Sequence, residues 1–121
     1  MFRRIDTVIV RVRDLQQAKG WYERVLELDT IYEDPAERLA VLTTPDGSSV
    51  TLWELKEGEV LAAGPGVGTY PIFAVDDAPD AHRALRERGV EPEALADGAG
   101  VCYFGFRDPD GNRLEACQVL A

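Results

Sequence analysis

Apolar and polar residues alternate near the start of the chain and then change to a helical spacing. Residues 5–13 alternate, with three valines on one side, which predicts a strand with one face against the interior. Asp14 follows, and Gln17 lies three residues later, a pattern typical of a helix N-terminus. Apolar residues at helical spacing come next: Leu15, Ala18, Trp21, Tyr22, Val25 and Leu26.

A break and a hairpin follow this predicted helix. An Asp-Pro pair at residues 34–35 interrupts the helical pattern. Residues 38–43 and 48–55 then predict two strands around a Pro-Asp-Gly turn at residues 45–47. The first half of the chain therefore contains strands on both sides of one helix.

The chain repeats itself at a distance of about half its length. The segment at residues 12–18 resembles residues 75–81 at an offset of 63, and the turn at residues 44–47 resembles residues 108–111 at an offset of 64. Because the two offsets agree to within one residue, they indicate a duplicated unit rather than a chance match.

The second half shows the same order of predicted elements. Residues 70–75 predict a strand, and Asp77 begins a helix that Gly89 ends. Residues 101–106 and 113–119 predict a closing hairpin. The fold class is therefore α+β, and we interpret the repeat as two tandem βαβββ modules, in each of which the pattern locates three of the four strands.

The predicted organisation is one domain over residues 1–121, with modules at residues 1–56 and 70–121 joined by a linker at residues 57–69. Residues 62–68 are rich in glycine but lack the Gly-Lys-Ser/Thr ending of a phosphate loop. We therefore interpret them as a linker or a mobile flap.

The net charge, the N-terminal sequence and the cysteines limit which partners and which cellular location are expected. The chain carries 22 acidic and 13 basic residues, a formal net charge of −9, which argues against nucleic acid as a partner. The N-terminal apolar run is too short for a signal peptide or a membrane span, so a cytoplasmic location without membrane association is expected. Cys102 and Cys117 are accordingly expected to be reduced thiols in strands.

Three segments together carry a family resemblance. The sequence Asp-Pro-Asp-Gly-Asn at residues 108–112, with Glu115 in the strand that follows, resembles the closing hairpin of the glyoxalase/bleomycin-resistance/dioxygenase (vicinal oxygen chelate) superfamily. Residues 10–22 resemble the first strand and helix of that superfamily, and residues 73–77 resemble their counterpart in the second module. The resemblance implies an open, curved, mixed or antiparallel sheet of eight strands with helices on its outer face, and a homodimer.

The resemblance also identifies where a metal would be held. In metal-dependent members, each module supplies two ligands, usually His or Glu, to a shared site. The corresponding positions here are Thr7 and Tyr70 in the first strands, and Glu115 with Thr51, which lies 64 residues earlier, in the last strands. One carboxylate, two hydroxyls and a phenol are a weak donor set for a divalent cation. No metal and no cofactor are therefore expected, and the single histidine, His82, is expected to be a solvated helix residue.

The alternation of side chains predicts what surrounds these four positions. Residues two apart in a strand share a face, so the expected ligand-binding residues are Thr7, Ile9, Arg11, Thr51, Trp53, Tyr70, Ile72, Glu115 and Cys117. Two readings stay open for several of them. Trp53 belongs either to the cavity wall or to the core, and Glu115 pairs with Arg11 or with Arg113. Cys117 is expected to be a small buried residue rather than a nucleophile.

Three functions compete at this point. The first is metal-free binding or sequestration of an aromatic, possibly cationic and antibiotic-like small molecule, as in the bleomycin-resistance branch that the resemblance suggests. The second is a metal-dependent lyase, isomerase or dioxygenase with a degenerate site centred on Glu115. The third is an accessory module without a ligand. A measured metal affinity would distinguish the metal-dependent enzyme from the other two functions. Binding of a small molecule would distinguish the binding protein from the accessory module.

Overall fold

The computed structural model describes residues 1–62 and 68–120. The chain divides into two compact units, Met1–Gly66 and Val67–Ala121, and each is described by itself. The proposed flap at residues 62–68 lies almost wholly outside the described residues. In the part of the chain that the structure describes, no helix combines the length and the apolar character needed to cross a membrane.

The first unit contains one helix and four strands: β1 (Val8–Val12), α1 (Leu15–Val25), β2 (Asp29–Asp34), β3 (Leu39–Thr43) and β4 (Ser49–Glu54). The strands form one sheet in the order β1-β4-β3-β2. β1 runs parallel to β4, and the other neighbours are antiparallel. The helix between β1 and β2 is needed because it carries the chain from one edge of this sheet to the other.

Packing of α1 against one face of this sheet makes the core of the first unit. Asp14 begins the helix as predicted, since its carboxylate accepts a hydrogen bond of 3.0 Å from the backbone N–H of Gln17. Tyr22 is fully buried in the core. The other buried apolar residues from these elements are Val10, Val12, Leu15, Ala18, Val25, Ala40, Leu42, Val50 and Leu52.

Glu54 joins the start of α1 to the end of β4. Its Oε1 accepts a hydrogen bond of 3.0 Å from the backbone N–H of Leu15, one of the helix N–H groups that lack a partner within the helix. Its Oε2 accepts a hydrogen bond of 2.7 Å from Nη1 of Arg38. The bond from Leu15, followed by that from Arg38, lowers the pKa of Glu54 below its ordinary value.

The second unit repeats the arrangement with β5 (Ile72–Ala74), α2 (Ala78–Glu87), β6 (Ala96–Gly98), β7 (Val101–Arg107) and β8 (Arg113–Val119). The strand order β5-β8-β7-β6 is that of the first sheet, again with one parallel pair. The described residues therefore confirm an α+β fold of two βαβββ modules. Their eight strands are hydrogen-bonded as two sheets of four.

The turn between β7 and β8 is organised by a buried carboxylate. Asp108 is 5% exposed, and its Oδ1 accepts hydrogen bonds of 2.9 Å from the backbone N–H groups of Asp110 and Asn112. Gly111 has φ of 85°, a conformation that a side chain would strain. The residues of this turn therefore have a structural role, because they fix where β8 begins relative to β7.

Four strands differ from the prediction: β2 and β6 were not located in the sequence. β1 and β5 are shorter than the predicted segments at residues 5–13 and 70–75, because their ladders extend only over Val8–Val12 and Ile72–Ala74. β2 carries an irregularity at Ile31, where the register against β3 shifts. Such a bulge breaks the alternation by which a strand is recognised in a sequence.

Substitution of Glu54 tests how much its carboxylate stabilises the N-terminus of α1. We expect Glu54→Gln to lower the free energy of unfolding by about 1 kcal/mol near neutral pH, because the helix N-terminus loses a charged acceptor. The pKa of Glu54 is lower in the folded chain, so its stabilisation is present above the unfolded pKa and is lost as pH falls through the folded pKa.

Urea unfolding at about pH 7 and about pH 3.5 measures this difference, which should shrink at the lower pH. Glu57→Gln is the matched control, because Glu57 is an exposed glutamate just after the same strand. An equal loss of stability at both pH values would contradict the assignment.

Candidate functional site

In each unit the face of the sheet opposite the helix, here called the open face, carries most of the residues that the sequence proposes for ligand binding. Thr7 and Tyr70 were predicted within the first strands but lie just before β1 and β5. In the first unit, Ile9 lies opposite Thr51, and Arg11 lies opposite Trp53. Their neighbours in the strand point to the helix and are buried. The ladder thus brings the hydroxyl, indole and guanidinium groups together on one surface.

The open face of the second unit is built in the same way. Ile72 lies opposite Glu115, and Ala74 lies opposite Cys117. Glu115 is 7% exposed, whereas Ile72 is 56% exposed. That these residues bind a ligand stays a prediction, because register defines a shared surface and not its occupant.

The two threonines of the first unit are engaged with each other. The hydroxyl oxygens of Thr7 and Thr51 are 2.9 Å apart and hydrogen-bonded, and Thr51 is 5% exposed. Each hydroxyl is neutral and is partly satisfied by the other. The pair therefore offers a polar patch to a ligand, without charge.

Trp53 is half-buried and is held in one orientation. Its Nε1 donates a hydrogen bond of 3.0 Å to the backbone carbonyl of Glu37. Arg11 Cζ and Lys56 Nζ lie over the indole, at 5.0 Å and 4.8 Å from the ring centroid. Arg11 Nη2 also donates to Glu59 Oε1 at 2.5 Å. An incoming cation would therefore meet two positive groups at this ring.

Glu115 belongs to an ion pair within the second unit. Arg113 Nη2 donates to Glu115 Oε2 at 2.9 Å, and Arg113 Nε donates to the same oxygen at 3.3 Å. Arg113 also contacts Glu93, with Nη1 2.8 Å from Oε2. The guanidinium carbon lies 5.2 Å from the ring centroid of Tyr70. One guanidinium thus contacts two carboxylates and an aromatic ring.

The charges in this group stabilise one another. Hydrogen bonds with Glu93, and next with Glu115, raise the pKa of Arg113 above its ordinary value, against the opposing effect of burial. The hydrogen bond from Arg113 lowers the pKa of Glu93. These shifts favour the charged forms of Arg113 and Glu93. The group formed by Arg113, Glu93 and Glu115 contains two acidic residues and one basic residue.

The structure shows the partner of Glu115, the surroundings of His82 and the state of the two cysteines. Of the two partners considered for Glu115, the structure shows Arg113, while Arg11 pairs with Glu59. His82 is not a fully solvated residue, since its Nε2 lies 2.9 Å from the carbonyl of Glu93 and its ring packs edge-on against Phe104. Both cysteines are free thiols, and burial raises the pKa of Cys102. Cys117 is only half-buried, so the expectation of a buried residue was wrong there.

The sequence did not identify Glu93, Glu59 or Lys56 as parts of these surfaces. All three lie outside the strands, so alternation gives no information about them. Arg113 could have been found, because it lies two residues before Glu115 and so shares its face.

The residues at the four positions that correspond to metal ligands do not suit a divalent metal ion. The two hydroxyls of the first unit bond each other, and the carboxylate of the second unit is held by a guanidinium. Across residues 1–62 and 68–120, no group of three or more His, Cys, Asp or Glu side chains is placed to hold a metal ion.

One depression of about 330 Å³ lies in the first unit, at the beginning of α1. It is lined by Leu15, Gln16, Glu33, Pro35, Arg38, Leu39 and Glu54. None of these residues belongs to the set that the sequence proposes for ligand binding.

Known proteins share both sequence and fold with this chain. Biphenyl-2,3-diol 1,2-dioxygenase 3 of Rhodococcus globerulus is 25% identical over 122 residues, and the match covers 93% of this chain. The chain spans 61% of the length of that relative.

Two solved structures show the same fold. A glyoxalase/bleomycin resistance protein/dioxygenase domain from Frankia sp. EAN1pec has a TM-score of 0.79 at 23% identity, over 98% of this chain and 93% of that one. TnmS3, an antibiotic-binding protein from Streptomyces sp. CB03234, has a TM-score of 0.80 at 21% identity, over 98% and 97% of the two chains. The family model of the Glyoxalase/Bleomycin resistance protein/Dioxygenase superfamily matches residues 4–116, and the chain belongs to this superfamily.

Proposed function

We propose that this protein binds a planar aromatic small molecule on its open faces without a metal ion, and acts by sequestering it. The observation that carries the proposal is the ion pair of Glu115 with Arg113 at 2.9 Å. A carboxylate that already has a cationic partner is a poor ligand for a metal, because binding the metal would require breaking a charge-assisted, largely buried pair.

The aromatic residues of the open faces support the choice of ligand. Trp53 is orientated by a hydrogen bond and is half-buried, and Tyr70 is half-buried beside Arg113. Aromatic side chains held in this way bind planar molecules through offset or edge contacts. The fold is shared with TnmS3, an antibiotic-binding protein. At 21% identity this likeness concerns the fold, so the proposal depends on the residues of this chain.

The charges around the two rings favour different ligands. Arg11 and Lys56 lie over Trp53. Each of them is also paired with a carboxylate, that of Glu59 or Glu37, so this ring suits a neutral planar group. Tyr70 lies beside the group of Arg113, Glu93 and Glu115, which is negative by one charge. A positive group on the ligand is therefore placed at Tyr70 rather than at Trp53.

A metal-dependent enzyme is the competing function, and the dioxygenase relative from Rhodococcus globerulus favours it. We expect metal-stripped protein to bind Mn²⁺, Fe²⁺, Ni²⁺ and Zn²⁺ no more tightly than about 1 mM in calorimetry, because the donors are neutral or already paired. A dissociation constant in the micromolar range that is lost in Glu115→Gln would contradict the proposal and establish the competing function.

Ligand binding is measured through the two tryptophans of the chain. We expect planar aromatic probes, namely 2-naphthol, 2-naphthoate and acriflavine, to change the fluorescence of Trp53. Trp53→Phe should remove this signal, and Trp53→Ala should weaken binding about tenfold through the lost aromatic contact. Trp21→Phe is the matched control, because Trp21 lies on α1 and packs against Tyr22. Absence of binding by all three probes would favour an accessory module without a ligand.

A cytoplasmic homodimer completes the proposal. β1 and β5 each form one edge of their sheet, and they carry the exposed side chains of Ile9 and Ile72. Exposed apolar residues on edge strands are typical of surfaces that associate. We expect sedimentation equilibrium to give twice the mass of one chain. A single monomeric species at micromolar concentration would contradict the dimer without affecting ligand binding.

A further inference from the structure

The side chains of Lys56 and Glu37 meet beside the indole of Trp53 on the open face of the first unit. Lys56 Nζ lies 4.8 Å from the centroid of the indole ring and 3.7 Å from Oε2 of Glu37. The backbone carbonyl of Glu37 also accepts the hydrogen bond of 3.0 Å from Trp53 Nε1. Glu37 therefore both orientates the ring and pairs with a cation that lies over it.

Both members of this pair start from turns whose backbone is fixed by a nearby carboxylate. Oε1 of Glu59 accepts a hydrogen bond of 2.7 Å from the backbone N–H of Lys56, and the carbonyl of Lys56 accepts one of 3.0 Å from the backbone N–H of Glu59. Oδ1 of Asp34 accepts a hydrogen bond of 3.2 Å from the backbone N–H of Glu37. The backbone therefore brings both side chains to the ring.

The two cations at this ring differ in how firmly they are held. Arg11 donates from Nε to the carbonyl of Trp53 at 3.1 Å and from Nη2 to Oε1 of Glu59 at 2.5 Å. The ion pair of Lys56 with Glu37 is longer than a hydrogen bond, and its two side chains are 56% and 53% exposed. Exposed pairs of this kind stabilise a fold little, so either member can be replaced without unfolding the chain.

We propose that the pair of Lys56 and Glu37 determines which ligand charge the face of Trp53 accepts, because its two charges cancel beside the ring. This selectivity depends on the aromatic binding proposed above. A single charge about 5 Å from a bound group in a half-exposed place changes its affinity by about threefold to fivefold. With the pair intact, the two effects oppose each other and no charged ligand is favoured. Loss of one member leaves the other charge to select the ligand.

Two substitutions of opposite sign test this assignment. The probes are 2-naphthol, 2-naphthoate and 2-naphthylmethylammonium, which share one ring system and differ in charge. Relative to the wild type, we expect Lys56→Gln to shift the preference toward the cationic probe by about threefold to fivefold, because the carboxylate of Glu37 loses its partner. Glu37→Gln should shift the preference toward the anionic probe by a similar factor, and the double variant should behave as the wild type does.

The indole N–H signal of Trp53 in proton–nitrogen correlation spectra measures binding at this ring. Trp21→Phe assigns that signal among the two tryptophans of the chain. Dissociation constants are measured at about 0.1 M and about 1 M salt, where the Debye length is about 10 Å and about 3 Å. The shifts in preference should largely disappear at high salt. Shifts that persist there would show a change in packing and would contradict the assignment.

The pair of Lys19 and Glu33 provides matched controls in the same unit. Lys19 lies on α1, which packs against the opposite face of the sheet, and Glu33 lies on β2. Lys19→Gln and Glu33→Gln change the net charge by the same amounts as the two test variants. Equal shifts in preference in these controls would show a general effect of net charge and would overturn the proposal.

Quenching of Trp53 fluorescence measures the charge at the ring without a bound ligand. In a Trp21→Phe background, iodide and caesium ions report the sign of that charge, and uncharged acrylamide corrects for a change in access. We expect Glu37→Gln to raise the ratio of iodide to caesium quenching about twofold, and Lys56→Gln to lower it by a similar factor. An unchanged ratio in both variants would show that the pair does not set the charge at the ring.

The titrations separate the two proposals. No binding of any probe by the wild-type protein contradicts the proposed function, and the selectivity is then lost with it. Binding by the wild type without opposite shifts in Lys56→Gln and Glu37→Gln contradicts only the selectivity. Binding together with opposite shifts supports both.

Discussion

Among the described residues, each four-stranded sheet is covered by a single helix, and the chemistry of the two sheets follows from this constraint. In a strand, successive side chains point to opposite faces. One set is therefore committed to packing on α1 or α2, and the other set is left to carry polar and aromatic groups. Val10, Val12, Leu52 and Ala116 belong to the buried set. Thr51, Trp53 and Glu115 alternate with them and form the open faces.

Burial of a carboxylate on an open face then imposes a second requirement. Glu115 is largely removed from water, and an ionised group in such a place must be paired or hydrogen-bonded. A protein can supply the partner as a bound cation or as a side chain of its own. In this chain Arg113 supplies it, and Gly105 leaves the space in which the guanidinium lies. The chain thus meets by its own residues the charge requirement that a metal ion would otherwise meet.

Membership of the superfamily leaves the activity open, since one fold supports different functions. A dioxygenase and an antibiotic-binding protein are both similar to this chain. Their names therefore cannot decide between catalysis and binding. The decision depends on four positions: Thr7, Thr51, Tyr70 and Glu115. In this chain these positions hold two hydroxyls bonded to each other, a ring beside a guanidinium, and a paired carboxylate.

The sequence by itself determined the two βαβββ modules, the caps Asp14 and Asp77, the turn at residues 108–112 and the family. Each of these depends on residues close together in the chain or on an internal repeat, so short-range patterns are enough to define them. The irregular strand β2 was not located, because the bulge at Ile31 breaks the alternation. The tertiary structure alone decided that Arg113 pairs with Glu115, and that Glu93 joins them from a loop. Such contacts depend on the ends of long side chains and on loop positions, which local patterning does not constrain.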